Sequence, residues 1–166
     1  MTDLAEEIQM KISGLILDPN SKVPIVVLKD LGDEYFLPIW IGVFEANAIA
    51  MSIEGIETPR PMTHDLLFSM VQKLGGTLKR IVITDLEDST FFALIHVDLN
   101  GGSLEIDSRP SDALALALRA KIPFFVTRTV LEKAKIDEKV ARLTEEERIK
   151  KWLEEVSPED LGKYKM

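Results

Sequence analysis

The strongest constraint on this chain is the order of its elements: three extended runs and a helix, then three extended runs and a helix again. Met10 to Leu17 and Val23 to Lys29 are β-rich, and the turn cluster Asp18-Pro19-Asn20-Ser21 between them predicts a hairpin. After Asp30-Leu31-Gly32-Asp33, Glu34 to Ile41 reads as a third strand. Pro24 and Pro38 each lack a ladder donor, so they belong at an edge, a strand end or a bulge. A helix over residues 44–54 follows, with Ala46, Ile49, Ala50 and Ile53 on one apolar face. A second helix spans 63–74, with Thr63 as its N-cap and Leu66, Leu67, Met70, Val71 and Leu74 as its inner face.

The second set begins with strands over Thr77 to Leu86 and Thr90 to Leu99. Phe91, Ala93, Ile95 and Val97 share one face of the latter. Asn100-Gly101-Gly102 is a strong hairpin turn into Ser103 to Asp107. Residues 111–121 form a helix that is apolar nearly all round, which predicts burial, and Pro123 to Val126 is a last short strand. The expected fold is α+β, a mostly antiparallel or mixed sheet with two to three packed helices. The repeated order suggests a duplication, although residue identity between the halves is too low to establish one.

A domain over 1–131 and a helical tail over 132–166 are expected. Thr144 and Glu147 have capping-box spacing, and Ile149, Trp152, Leu153 and Val156 form an apolar stripe. A helix this short is marginal in water alone, so the stripe must dock on this chain or a partner.

Composition narrows the chemistry. With no cysteine there is no disulfide scaffold, thiol nucleophile, zinc ribbon or iron–sulfur site. Two histidines, His64 and His96, are too few for an all-His metal cage. The net charge of −8 gives no long-range attraction for nucleic acid, so such binding needs a local basic patch or a metal. No signal core and no apolar run of membrane-spanning length is present, so no membrane association and a cytoplasmic location are expected. The P-loop, dinucleotide-binding, esterase-elbow and zincin motifs are all missing.

Two arginine corners stand out. Pro59-Arg60-Pro61-Met62-Thr63-His64-Asp65 and Asp107-Ser108-Arg109-Pro110-Ser111-Asp112 each place an arginine just before a helix start. A residue before proline is held extended, which limits where its side chain points. A helix N-terminus offers free N–H groups and positive potential, and a guanidinium fork suits phosphate. Arg60, Arg109 and Ser111 are therefore candidate phosphate ligands. The alternative is an ion pair tying loop to helix, with Thr63 and Ser111 as ordinary caps. Asp65, Asp107, Asp112 and Glu45 are candidate ligands for Mg2+ or Mn2+, hard ions that take oxygen donors and activate water in phosphodiester cleavage. Acids in first helical turns are also favourable for dipole reasons alone. His64, with Asp65 and Asp107, makes up the candidate catalytic set; His64 is a candidate general acid or base, or else an exposed residue of a helix start. His96, between Ile95 and Val97, reads as structural, and Trp40 as core or interface.

On these residues the chain resembles the bifunctional nuclease domain family, long catalogued as a domain of unknown function. The resemblance rests on Leu37-Pro38-Ile39-Trp40-Ile41-Gly42 with Glu45-Ala46, on Pro59 to Leu66, on Thr90-Phe91-Phe92-Ala93 and on Asp107 to Ala113, which occur in the family's order and span roughly residues 10–131. It implies a compact, usually self-associating α+β domain, with activity on RNA and DNA as in some plant members. A nuclease hydrolysing phosphodiester bonds in RNA or DNA is the leading expectation. A non-catalytic phosphate- or nucleotide-binding or regulatory module is the alternative. Proline-interrupted edge strands and the Trp40 block also point to a homodimer, two-fold pairs being the commonest assembly.

Overall fold

The computed structural model describes residues 5–141, with side chains through Lys135. Its elements are β1 (Glu7–Leu17), β2 (Pro24–Asp30), β3 (Phe36–Trp40), α1 (Val43–Ile53), α2 (Thr63–Lys73), β4 (Thr77–Glu87), β5 (Thr90–Leu99), β6 (Gly102–Ser108), α3 (Pro110–Ala120), β7 (Phe124–Thr127) and α4 (Arg128–Ala141). The strands form one mixed sheet in the order β3-β2-β1-β7-β4-β5-β6, so the fold is α+β as expected. Each set of three strands is an antiparallel meander running outward from the centre. Short β7 joins them, antiparallel to β1 and parallel to β4. The repeated order in the sequence is thus a repeated unit in the sheet.

The turns follow their chemistry. Asn100 and Gly101 both take positive φ, 52° and 76°, the two-residue turn whose twist matches the flanking strands. Pro24 stands at the first position of β2, and Pro38 lies in edge strand β3, where a missing donor is tolerated.

The main core lies between the sheet and the helices. Val26 and Leu28 of β2, Ile81 and Ile83 of β4, and Ala93, Ile95 and Val97 of β5 meet Ala46, Ile49 and Ala50 of α1. From α3, residues Ala113 through Ala117 are all buried, so α3 is the central helix, with α1 and α2 both against it. Pro110 opens α3 at its first position and Lys121 closes it in the left-handed region. Alanines on α1 and α3 let the two backbones approach closely. Among the described residues no helix is long and apolar enough to cross a membrane.

One expectation is corrected and another narrowed. The face of α2 given by Leu66, Leu67, Met70 and Leu74 is exposed, Leu74 most of all at 74%. Of the expected face Val71 alone packs inward, together with His64 and Phe68 at i and i+4. The cause is polar: His64 and Asp65 are each tied to α3, and those two bonds set the rotation of α2 about its axis. Of the two readings of Trp40, core is excluded: it is half-exposed at the sheet edge, its indole N–H donating to Asp18 Oδ2 at 3.2 Å.

The end of the described chain is integrated with the domain. Val130 and Leu131 are buried, Lys133 pairs with Asp85 at 2.6 Å, and Lys135 lies over the Tyr35 ring. α4 runs across the expected boundary at 131/132. The capping box and apolar stripe expected between Thr144 and Val156 lie outside the described residues.

Candidate phosphate-binding site

The starts of α1, α2 and α3 converge on a cavity of about 270 Å3. Its lining is polar at Glu45, Asn47, Thr63, His64, Arg109, Asp112 and Arg119, and apolar at Phe44, Ala48, Met51 and Met62. Local backbone chemistry puts each charge in place. Arg109 is the N-cap of α3, extended at φ −70° and ψ 143°, as a residue before proline must be. Gly42 is the N-cap of α1, and Glu45 folds back over it; a Cβ at Gly42 would come within 2.1 Å of Glu45 Oε2. Glycine there leaves room for the carboxylate to reach Arg109.

The charges form a chain. Arg109 donates from Nη2 to Glu45 Oε1 at 2.6 Å and from Nε to Asp112 Oδ2 at 2.8 Å. The other oxygen of Asp112 lies 2.9 Å from His64 Nε2. An ionised carboxylate only accepts, so His64 donates through Nε2; in the neutral imidazole Nδ1 is then the acceptor. Glu45 and then Asp112 raise the Arg109 guanidinium above its ordinary range. The His64 side chain is 9% exposed, while that of Arg109 is 65% exposed. The imidazole is thus locked, and the guanidinium stays open to solvent.

A second cluster supports the first from below. Arg119 donates to Asp65 Oδ1 at 2.7 Å, to the Ala115 carbonyl at 2.9 Å and to the Ala48 carbonyl at 3.3 Å. Asp65 Oδ2 accepts the Met62 N–H at 2.9 Å. Burial pushes the Asp65 carboxyl up, but the Met62 N–H and Arg119 outweigh it and hold it below its ordinary value. One guanidinium therefore clamps α1, α2 and α3 together directly beneath the cavity.

The structure brings together some of the residues singled out from the sequence and separates others. His64, Asp112, Arg109 and Glu45 meet at the cavity. Asp65 serves the clamp. Asp107 does not join them: it pairs with Leu94 on exposed β6, one position out of phase with Ile106, whose partner Ile95 faces the helices, so Asp107 points to the opposite side of the sheet. Arg60 is exposed and off the cavity wall, its carbonyl accepting the Thr58 hydroxyl. The two corners differ because Arg109 caps its helix directly, whereas α2 starts three residues beyond Arg60 with Met62 as its N-cap. Thr63 is consequently not the cap. Ser111 is buried in the first turn of α3 and does not line the cavity.

The four acids considered for a metal do not converge. Glu45 and Asp112 are held by Arg109, Asp65 by Arg119, and Asp107 faces away. Among the described residues no three His, Asp or Glu side chains are placed to hold a metal ion together. Sequence reasoning missed Arg119, Asn47 and Phe44. A lone arginine in the last turn of α3, directly after the apolar run from Ala113 to Leu118, was the available signal for Arg119.

A family model described as the bifunctional nuclease domain matches residues 26–139, reaching well into α4. An uncharacterized protein of Mycobacterium tuberculosis is 37% identical over 161 residues, covering 92% of this chain and 96% of its own length. Bifunctional nuclease 1 of Arabidopsis thaliana is 28% identical over 109 residues, 63% of this chain. Bifunctional nuclease 1 of Oryza sativa subsp. japonica is 24% identical over 109 residues, 64% of this chain. The chain spans about a third of the length of these two plant relatives. With more than half of its residues under one family model, the chain belongs to the bifunctional nuclease domain family.

Proposed function

We propose that this chain is a nuclease that binds a phosphodiester of RNA or DNA at Arg109 and hydrolyses it with His64. The observation that carries the reading is Asp112, which joins the imidazole and the guanidinium through its two oxygens. A phosphate drawn to the exposed fork of Arg109 comes next to a histidine whose tautomer is fixed by Asp112. His64 Nδ1 takes a proton from the attacking water as the new P–O bond forms. The ester P–O bond breaks, and the leaving oxygen takes a proton from solvent. The plant relatives' names supply the reaction class. Arg60, exposed beside the site, provides a contact to a neighbouring phosphate.

The test is a nuclease assay on highly purified protein, with and without chelator, beside Arg109→Ala. Loss of one charged hydrogen-bonding partner weakens substrate binding by roughly ten- to a hundredfold. Activity that survives chelator removes the Mg2+ or Mn2+ requirement expected from the sequence; activity that persists in full in Arg109→Ala removes the site. One observation favours the non-catalytic alternative: every acid at the cavity is already paired with an arginine or a histidine. A phosphate- or nucleotide-binding module needs nothing more, and binding without cleavage in the purified protein would identify it.

We further propose a homodimer, with the exposed outer face of α2 at the contact. Leu66, Leu67, Met70 and Leu74 lie exposed together on one face of α2, and contiguous exposed apolar side chains mark interaction surfaces. Light scattering at micromolar concentration should give twice the chain mass; a monomeric mass would rule the pairing out.

A further inference from the structure

We propose that the apolar half of the cavity is a nucleobase subsite, so that the chain binds a nucleotide as a unit and not a bare phosphate. This rests on the phosphate reading above and extends it to the group attached to that phosphate. Arg109 and its partners make up the charged part of the lining. A phosphate has no use for Phe44, Met51 and Met62, which line the same cavity. The volume, about 270 Å3, falls just below the roughly 300 Å3 at which small-molecule pockets begin, which suits one base with its sugar and not a stretch of strand.

Four residues of the lining have properties a base would use. Phe44, in the first turn of α1, is 85% exposed and is absent from the core. An aromatic ring held in solvent beside a phosphate clamp offers a stacking face, and stacking accepts any base. Met51 and Met62 are flexible and polarisable and pack well against flat rings. Asn47 supplies the polar element. Its amide nitrogen reaches only the Met51 sulfur, at 3.6 Å, and its Oδ1 is buried with no hydrogen-bond partner. Buried acceptors are nearly always satisfied; this one is closed off from the cavity that Asn47 lines, so pairing with a base edge requires the side chain to turn, which also ends its orphaned state. An amide carries both donors and acceptors, the combination that pairs with the edge of a base.

The experiment is calorimetric titration of the full chain with inorganic phosphate, ribose 5-phosphate and the four nucleoside 5′-monophosphates. A short single-stranded oligonucleotide, intact or with one abasic position, forms a further arm. The mononucleotides should bind roughly five- to a hundredfold more tightly than ribose 5-phosphate, the span expected for stacking one base. Phe44→Ala should erase that ratio. It should fold normally, since the ring contributes nothing to the core. Asn47→Ala should narrow the differences among the four bases. If free mononucleotides show the advantage, the ligand includes the free nucleotide; if only the intact oligonucleotide beats its abasic form, the subsite serves a strand. Equal binding of ribose 5-phosphate and nucleotides, with no difference between intact and abasic strands, overturns the base subsite while leaving the phosphate site standing. Phosphate binding that is unchanged in Arg109→Ala overturns the phosphate reading itself, and this proposal with it.

Discussion

His64→Gln should cut nuclease turnover by roughly a hundred- to ten-thousandfold, the usual contribution of a positioned acid or base, with a much smaller change in substrate binding. Glutamine fills most of the imidazole's volume, and its amide can donate to Asp112 as Nε2 does now, so the link that orients α2 is preserved. What is lost is the second ring nitrogen, the acceptor that Asp112 leaves free. A proton carrier therefore predicts a fall in kcat, with KM set mainly by Arg109. His64→Ala is the less informative variant, because it empties a position that is only 7% exposed and unpairs one oxygen of Asp112. Single-turnover rates on a defined oligonucleotide, taken beside the melting temperature of each variant, separate the two effects. Full activity in a folded His64→Gln protein would leave the histidine a structural role and move the chemistry elsewhere.

The strands were legible because their signals are local. Alternation along β5 puts Ala93, Ile95 and Val97 inside, and the Asn100-Gly101 turn closes the way its residues require. α3 was legible for the opposite reason, being apolar on all sides and buried at its centre. α2 shows the limit of hydrophobic pattern. Its leucines define a convincing face, yet bonds from His64 and Asp65 to residues 48 and 54 positions away turn that face outward. The same limit applies to the site. The Arg-Pro corners at 60 and 109 look equivalent in sequence. The number of residues between arginine and helix start separates them: Arg109 stands at the N-cap position, where Glu45 and Asp112 hold its side chain, and Arg60 stands two residues before its N-cap. Asp107 was misplaced by strand parity: one residue's difference in phase sends a side chain to the other face of a sheet. Arg119 carried no motif, and its role depends on carbonyls of two helices that only the fold brings together.

Arg119→Ala should destabilise the folded chain by about 3 kcal/mol, in the range for breaking a buried, hydrogen-bonded ion pair from one side. For a chain of this size that is a fall in melting temperature of roughly 6–12 °C. The Arg119 side chain is 10% exposed and bridges Asp65, the Ala48 carbonyl and the Ala115 carbonyl, so its removal loosens α1 and α2 from α3 at once. Arg119→Met should lose less, because it keeps the apolar stem against the helices. Asp65→Asn should also lose less, since the Asp65 side chain is 38% exposed and water screens its share of the pair. The pH dependence distinguishes this ion pair from simple packing. Asp65 has a lowered folded value, so its contribution is complete above the ordinary 3.8 and is lost as pH falls through the lower folded value. Wild type should therefore exceed Asp65→Asn in stability near neutral pH, and the two should converge as the pH drops below that range. Parallel melting curves down to acid pH would show that the carboxylate's charge is irrelevant, and that Arg119 acts through the two carbonyls alone.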